Sequence, residues 1–252
     1  MKKILRSILK TIIPNRWFPL SYLHHRTVKL AKGQIHSGPF RGMNYIDQAY
    51  ASSICSKLIG TYEKEIQKII YDLLNIEFDT FLDIGAAEGY YSVGFAKYGK
   101  CKKITTYDGM SEARVLQKKL ASINEVDNLI SIKGKCTSKI LCEDLSPKNN
   151  FIICDVEGYE YALLDPKLVP QLAYTTMIVE CHNHVWEKME ESIKERFTVT
   201  HNISSFNTEI NGKPSDYPFR NLYYNLLPRK YKDYPLIDHR DLSTSWLYLI
   251  PI

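Results

Sequence analysis

The sequence predicts an α/β fold with a mostly parallel sheet, and three observations carry that prediction. Short apolar runs recur at Phe81–Ile84, Phe151–Cys154 and Thr175–Glu180, too short for buried helices and each followed by polar residues. Helical periodicity fills the intervals, as in Glu112–Ile123. Strands alternating with helices imply crossover connections and parallel neighbours. Finally, the stretch FLDIGAAEGYYSVGFA, Phe81 to Ala96, runs from an apolar strand through Gly85 and Gly89 into an apolar-periodic segment.

Taken in order, the elements begin with Met1 to Pro14. Ile4, Leu5, Ile8, Leu9, Ile12 and Ile13 fall on one helical face, and Lys2, Lys3, Arg6 and Lys10 lie largely on the other. The segment lacks the long apolar core and small-residue cleavage site of a signal peptide. Two readings stay open: a helix lying in the plane of an anionic membrane, or one packed on its own domain or on a second subunit as a homodimer contact. PNRWFPL then breaks it. Val28–Tyr45 reads as a small hairpin or irregular cap, with Gly38, Pro39 and Gly42 as turn formers. Thr61 is the expected N-cap of a helix with Ile66, Ile69, Ile70, Leu73 and Leu74 on one face.

Strands are expected at Phe81–Ile84, Lys103–Tyr107, Leu129–Lys133, Phe151–Cys154 and Thr175–Glu180, with Phe197–Ile203 and Ser245–Ile250 as a final pair. Glu187–Arg196 is expected to be helical. Ser205 to Thr244 is a long connection rich in aromatic and basic residues, including Tyr217, Phe219, Arg220, Tyr223, Tyr224, Arg229 and Tyr231. Connections of this length in compact domains are usually functional. They suit a sugar ring, a nucleotide or a phosphate group, and equally a sheet edge or a dimer contact.

Composition fits a folded enzyme of 252 residues, with 44% hydrophobic and 24% charged residues and a net charge of +5. Such mild basicity selects among no partners. The six cysteines include no Cys-x-x-Cys pair, which points to reduced thiols in a cytoplasmic protein. No apolar run is long enough to span a bilayer.

The candidate chemistry clusters at strand ends, where open α/β sheets bind ligands. Asp83, Gly85, Ala86, Gly89 and Tyr91 belong to the glycine turn, which is expected to aim free backbone N–H groups at a ligand. The spacing Asp-x-Gly-x-x-x-Gly departs from the dinucleotide fingerprint and disfavours an oxidoreductase. Asp108 ends the next strand, about 20 residues on, where an acid grips ribose hydroxyls. Asp155, Glu157, Gly158 and Glu160 follow the fourth strand, and Glu180, His182 and His184 end the fifth.

The glycine turn resembles motif I of class I S-adenosylmethionine (SAM)-dependent methyltransferases. Together with Asp155, Glu157, Gly158 and Glu160, and with Glu180 and His182, the chain resembles the FkbM-type family over roughly residues 30 to 252. GTYEKE, containing Glu63, and SGPFRGM, Ser37 to Met43, look like subgroup features, and Arg240 aligns with an arginine common in the family. TYDG, Thr106 to Gly109, departs from the Glu-Pro seen in many members. The resemblance implies a Rossmann-like seven-stranded sheet of order 3-2-1-4-5-7-6 whose last strand is antiparallel. It implies an N-terminal helix and cap over 1–59 and a methyltransferase domain over 60–252. Its implied cofactor is SAM, bound by Glu63, Asp83, Gly85, Ala86, Gly89, Tyr91, Asp108 and Asp155, with the adenine near Gly134–Thr137. Asp155, Glu180 and His182 are the expected catalytic residues, acting as a base or as ligands of magnesium or manganese. The expected acceptor is a hydroxyl of a sugar, glycan precursor or related metabolite. RNA or protein methylation, and a SAM-binding or membrane-associated scaffold without turnover, are the alternatives. Nucleic acid is disfavoured because the charge is mild and no appended module is present.

Overall fold

The computed structural model describes residues 18–208, 212–239 and 244–252. The expected Met1–Pro14 helix and Arg240 lie outside these residues. In chain order the helices are α1 (Pro19–Ala31), α2 (Ile54–Ile59), α3 (Gln67–Leu73), α4 (Tyr90–Tyr98), α5 (Ser111–Ile123), α6 (Ser138–Asp144), α7 (Glu160–Leu163), α8 (Met189–Phe197), α9 (Leu222–Leu226) and α10 (Arg229–Lys232). The strands are β1 (Glu77–Ile84), β2 (Lys100–Tyr107), β3 (Ile130–Lys133), β4 (Asn150–Cys154), β5 (Thr175–His182), β6 (His201–Asn207) and β7 (Thr244–Pro251).

The described chain forms two compact units. One holds residues 18–47, 53–64 and 212–239; the other holds 48–52, 65–208 and 244–252. A single cut after residue 59 therefore does not describe the contacts, because the 212–239 segment packs with the N-terminal residues.

The larger unit is built on one sheet of order β3-β2-β1-β4-β5-β7-β6, as the motif resemblance implied. β7 runs antiparallel to both β5 and β6, and the other pairings are parallel. The middles of the central strands, such as residues 81–82, 151–154 and 177–179, are apolar and buried because both of their faces are covered. On one face Phe81 and Phe151 stack at 4.7 Å, and Phe95 and Phe78 each lie 5.2 Å from Phe151. On the other, Leu82, Ile152, Met177 and Leu249 pack with Ile193 and Phe197 of α8. Registers Ile84↔Tyr107, Ile84↔Cys154 and Cys154↔Val179 bring the carboxyl ends of four strands level.

Several boundaries differ from expectation, for local reasons. β1 and β2 start earlier, since Lys102 pairs with Glu77 and Asp79 at 3.0 and 2.9 Å and carries the strands into polar sequence. β6 starts at His201 rather than Phe197, because the buried Phe197 ring belongs to the last turn of α8. β5 runs on to His182, so that residue is strand rather than loop.

The smaller unit packs Leu23 of α1 and Ile59 of α2 against Tyr217, Tyr224 and Leu236. The Tyr217 and Tyr224 rings stack at 4.5 Å, and Thr27 Oγ1 lies 3.1 Å from the Tyr217 hydroxyl. α1 itself went unread in the sequence. The expected Val28–Tyr45 hairpin reduces to one antiparallel bridge, Gln34 to Asn44, since α1 runs to Ala31. Thr61 caps no helix: its hydroxyl donates to the Leu236 carbonyl at 2.8 Å, and α3 starts only at Gln67. The 205–244 connection contains α9, α10 and two short 3-10 turns.

Phe151 contacts three other aromatic rings, so Phe151→Ala is expected to destabilise the larger unit by about 3–5 kcal/mol. Tyr174→Ala, at a site 60% exposed, is expected to stay within about 0.5 kcal/mol. Urea unfolding of both variants checks the contrast, and equal effects would show that the aromatic stack is not the core.

Candidate active site

The glycine turn follows β1 and is shaped by backbone conformation. Gly85 and Gly89 have φ of +85° and +92°, and Ala87 lies at +47°. A β-carbon on Gly85 would fall 1.5 Å from the carbonyl oxygen of Asp155. The glycine thus permits the ends of β1 and β4 to converge, and the neighbour it avoids belongs to the protein itself.

The turn's N–H groups are largely committed. Those of Gly85 and Ala86 both donate to the Tyr107 carbonyl, at 2.9 and 3.1 Å, and that of Gly89 donates to Ala86 at 2.7 Å. The Ala87 N–H donates to Asp108 Oδ2 at 3.0 Å. The expectation of open N–H donors is therefore corrected for these four residues: strand ends and a carboxylate already satisfy them.

Asp108 stands at the tip of β2. Its Oδ1 accepts from the Met110 N–H at 2.8 Å, and its carbonyl accepts from Arg114 at 2.7 Å. The two N–H bonds leave acceptor capacity on this half-buried carboxylate. Partial burial raises its pKa, opposed by those bonds. Gln117, which the sequence reading passed over, ties the region together. It accepts from Thr106 at 2.6 Å and donates to the Ala87 carbonyl at 2.8 Å. Its signal was present: a polar residue on the buried stripe Ala113, Gln117, Leu120 and Ala121 of α5.

Asp83 is 2% exposed, and its Oδ2 accepts from the Ser92 N–H at 2.9 Å in the first turn of α4. Burial pushes its carboxyl up to about 7, the Ser92 hydrogen bonds oppose this, and the charges of Asp155 and Asp108 add to it. Ala86 and Tyr91 are buried beside the turn. Glu63 lies in the smaller unit, buried, with φ +47° and its N–H donating to Asp238 at 2.8 Å.

The second half of the site gathers around His182, whose side chain is 4% exposed. Its Nδ1 lies 2.7 Å from Glu160 Oε1, and the same oxygen accepts from the N–H groups of Val156 and Gly158 at 3.2 and 3.1 Å. The Nε2 atom faces Asp155 Oδ1 at 3.5 Å and Glu157 Oε2 at 3.3 Å. Left-handed φ values at Glu157 and Gly158, +53° and +102°, turn the loop so that these carboxylates converge. Burial lowers the His182 pKa, but hydrogen bonding to Glu160 and the charges of Asp155, Glu160 and Glu157 outweigh it, so the value is raised. Burial likewise favours neutral Glu160, yet His182 and the backbone donors hold its pKa down.

Asp155, Glu157 and His182 offer ligand atoms within 4.8 Å of one another among the described residues. Glu180 is buried on β5 opposite Trp246 and stands outside that group. Glu157, part of the acidic motif read in the sequence, joins Asp155 and His182, which the sequence reading also expected as metal ligands. His184 stacks its ring edge-on to His182 at 5.5 Å.

No family model matches the chain, and no curated protein matches it. Solved structures do. The C-terminal domain of precorrin-6Y C5,15-methyltransferase from Rhodobacter capsulatus aligns with a TM-score of 0.50 at 15% identity, covering 74% of this chain and 87% of that one. The fold is that of the Rossmann-like methyltransferases. Precorrin 8w decarboxylase from Methanobacterium thermoautotrophicum aligns at 0.48 and 15% identity, covering 73% of this chain and 89% of that one. Identity at this level speaks to the fold alone.

Two outcomes follow from the turn. Gly85→Ala is expected to destabilise the protein by about 2–5 kcal/mol, from the clash and the left-handed backbone together; wild-type stability in urea would contradict it. Asp83 has a folded-state pKa above its ordinary value. Its contribution to stability is therefore full below about pH 4 and lost as pH rises through about 7. Asp83→Asn keeps the acceptor for Ser92 and is expected to flatten that loss. Unfolding midpoints measured across this range check the slope, and identical slopes would show that Asp83 does not titrate there.

Proposed function

We propose that this chain is a SAM-dependent O-methyltransferase of the FkbM type, acting on a hydroxyl of a sugar, a glycan precursor or a related small metabolite. The observation that carries the reading is the double role of Asp155. Its carbonyl lies against Gly85 of the glycine turn, and its carboxylate lies 3.5 Å from His182. A cofactor at the turn and a proton-accepting group are thereby built from one residue.

The hydrogen bonding of the turn supports SAM over a dinucleotide. Phosphate groups need unpaired backbone donors, and those of Gly85, Ala86, Ala87 and Gly89 are taken. SAM carries no phosphate. Its ribose hydroxyls suit the remaining acceptor capacity of Asp108, as charge-assisted hydrogen bonds. Bound SAM supplies an electrophilic methyl group on a sulfonium.

The acceptor's proton must leave as the new O–C bond forms. With Nδ1–H held by Glu160, a neutral His182 presents the Nε2 lone pair as a base. The carboxylates raise its basicity, which strengthens it for this task. Glu160 acts through His182 as a positioning residue, fixing tautomer and ring orientation.

A second version of the same site has its own support. Nε2 faces two carboxylate oxygens, an arrangement that repels unless positive charge lies between them. In resting enzyme that charge is an imidazolium proton or a divalent cation. Carboxylates with imidazole suit magnesium or manganese, and a cation would acidify the acceptor hydroxyl.

Calorimetry with SAM is expected to give saturable binding to wild-type protein, and absence of binding would overturn the proposal. Given an acceptor that turns over, Asp155→Asn and His182→Gln are expected to lower kcat by on the order of 10²-fold or more, with SAM affinity nearly kept. Near-normal turnover in both would remove these roles. Activity lost to chelator and restored by manganese would favour the cation version, and chelator-insensitive activity the base.

A further inference from the structure

The smaller unit carries a surface feature that the proposed chemistry does not use. α9 is held by a side-chain cap, Asn221 accepting from the Tyr224 N–H at 2.9 Å, and by burial of the Tyr224 ring. With Tyr224 turned inward, Leu222 and Leu226 lie one turn apart on the outer side, about 200° and 160° around the helix from it. Each is 75% exposed. Isolated exposed leucines are commonplace, but a pair on one pinned turn is a small apolar ridge.

Its surroundings carry a net positive charge. From Asp216 through Asp233 the chain has four basic residues, Arg220, Arg229, Lys230 and Lys232, against two acidic ones, Asp216 and Asp233, and Asp216 pairs with Lys64 at 2.9 Å. Arg220 precedes the ridge in sequence, Arg229 and Lys230 follow it, and all three are exposed. Arg229 has a long 3.6 Å approach to Asp233, and Lys230 lies 5.1 Å from the Tyr231 ring.

We infer that this ridge is a peripheral docking surface for an anionic lipid bilayer. Leucines entering the acyl boundary while flanking arginines and lysines meet negative headgroups is the physical signature of interfacial binding. The charge argues against the other occupants. A second copy of the same ridge would bring four cations against four, and a nucleic acid would leave both leucines in water. This inference is independent of the methyltransferase proposal.

The experiment is sedimentation of the full chain with equimolar phosphatidylcholine and phosphatidylglycerol vesicles, against phosphatidylcholine alone. Wild-type protein is expected to partition onto the anionic vesicles and to be released by salt. L222E/L226E alters exposed positions only and is expected to reduce partitioning by about tenfold or more, with an unchanged circular dichroism spectrum. R229E/K230E is expected to weaken binding to anionic vesicles selectively. No wild-type binding, or equal partitioning of L222E/L226E and wild type, overturns the inference. A wild-type dimer that dissociates in L222E/L226E, seen by analytical ultracentrifugation, also overturns it by assigning the ridge to a second copy.

Discussion

The larger unit depends on one close approach. The Asp155 carbonyl occupies the space that a β-carbon at residue 85 would need, 1.5 Å from its position. Only glycine permits this, and only a backbone at φ +85° directs the chain onward into the turn. Because β1 and β4 are adjacent and level, the glycine turn and the acidic loop emerge side by side. Everything proposed about chemistry rests on that adjacency. Were the strands staggered by a few residues, the same motifs would face different depths of solvent.

Electrostatics then give the two halves different characters. Around the turn, polar groups are mutually satisfied: Asp108 holds Ala87, Gln117 holds Thr106 and Ala87, and Asp83 holds α4. Of these groups Asp108 keeps acceptor capacity beyond its two N–H bonds. Around His182 the balance is uneven. Three carboxylates surround one imidazole, and Glu160 Oε2 is buried without a hydrogen-bond partner. Converging carboxylates are costly unless a proton or cation shares their charge, most of all at the buried Glu160 and least at Glu157, which is largely exposed. In the proposed reaction, a site able to gain or release positive charge would take the acceptor's proton.

The smaller unit solves a different problem. Its core sets two aromatic rings among aliphatic side chains, with Tyr217 and Tyr224 stacked and fully buried beside Leu23, Ile59 and Leu236. Their hydroxyls find partners in Thr27 and the Pro214 carbonyl, so large rings bury area without orphaned polar atoms. Short helices suffice because these anchors, and not helix propensity, hold them. The same anchoring turns two leucines outward.

Much of this was legible in the sequence. Short apolar runs marked the central strands to within a few residues, because strands buried on both faces admit little else. Glycine spacing determined the turn, since left-handed backbone is a local demand. The motif resemblance implied strand order, and the pairings agree. Tertiary structure alone decided the rest. It placed Glu157 beside His182, because a left-handed loop sets where that carboxylate lies. It gave Thr61 a carbonyl partner 175 residues away and closed the turn's donors onto Tyr107 and Asp108. It grouped residues 212–239 with the N-terminal helices. Local patterns determine elements through steric and hydrophobic preferences. Which polar atoms meet depends on contacts between residues far apart in the chain, and no local pattern encodes those.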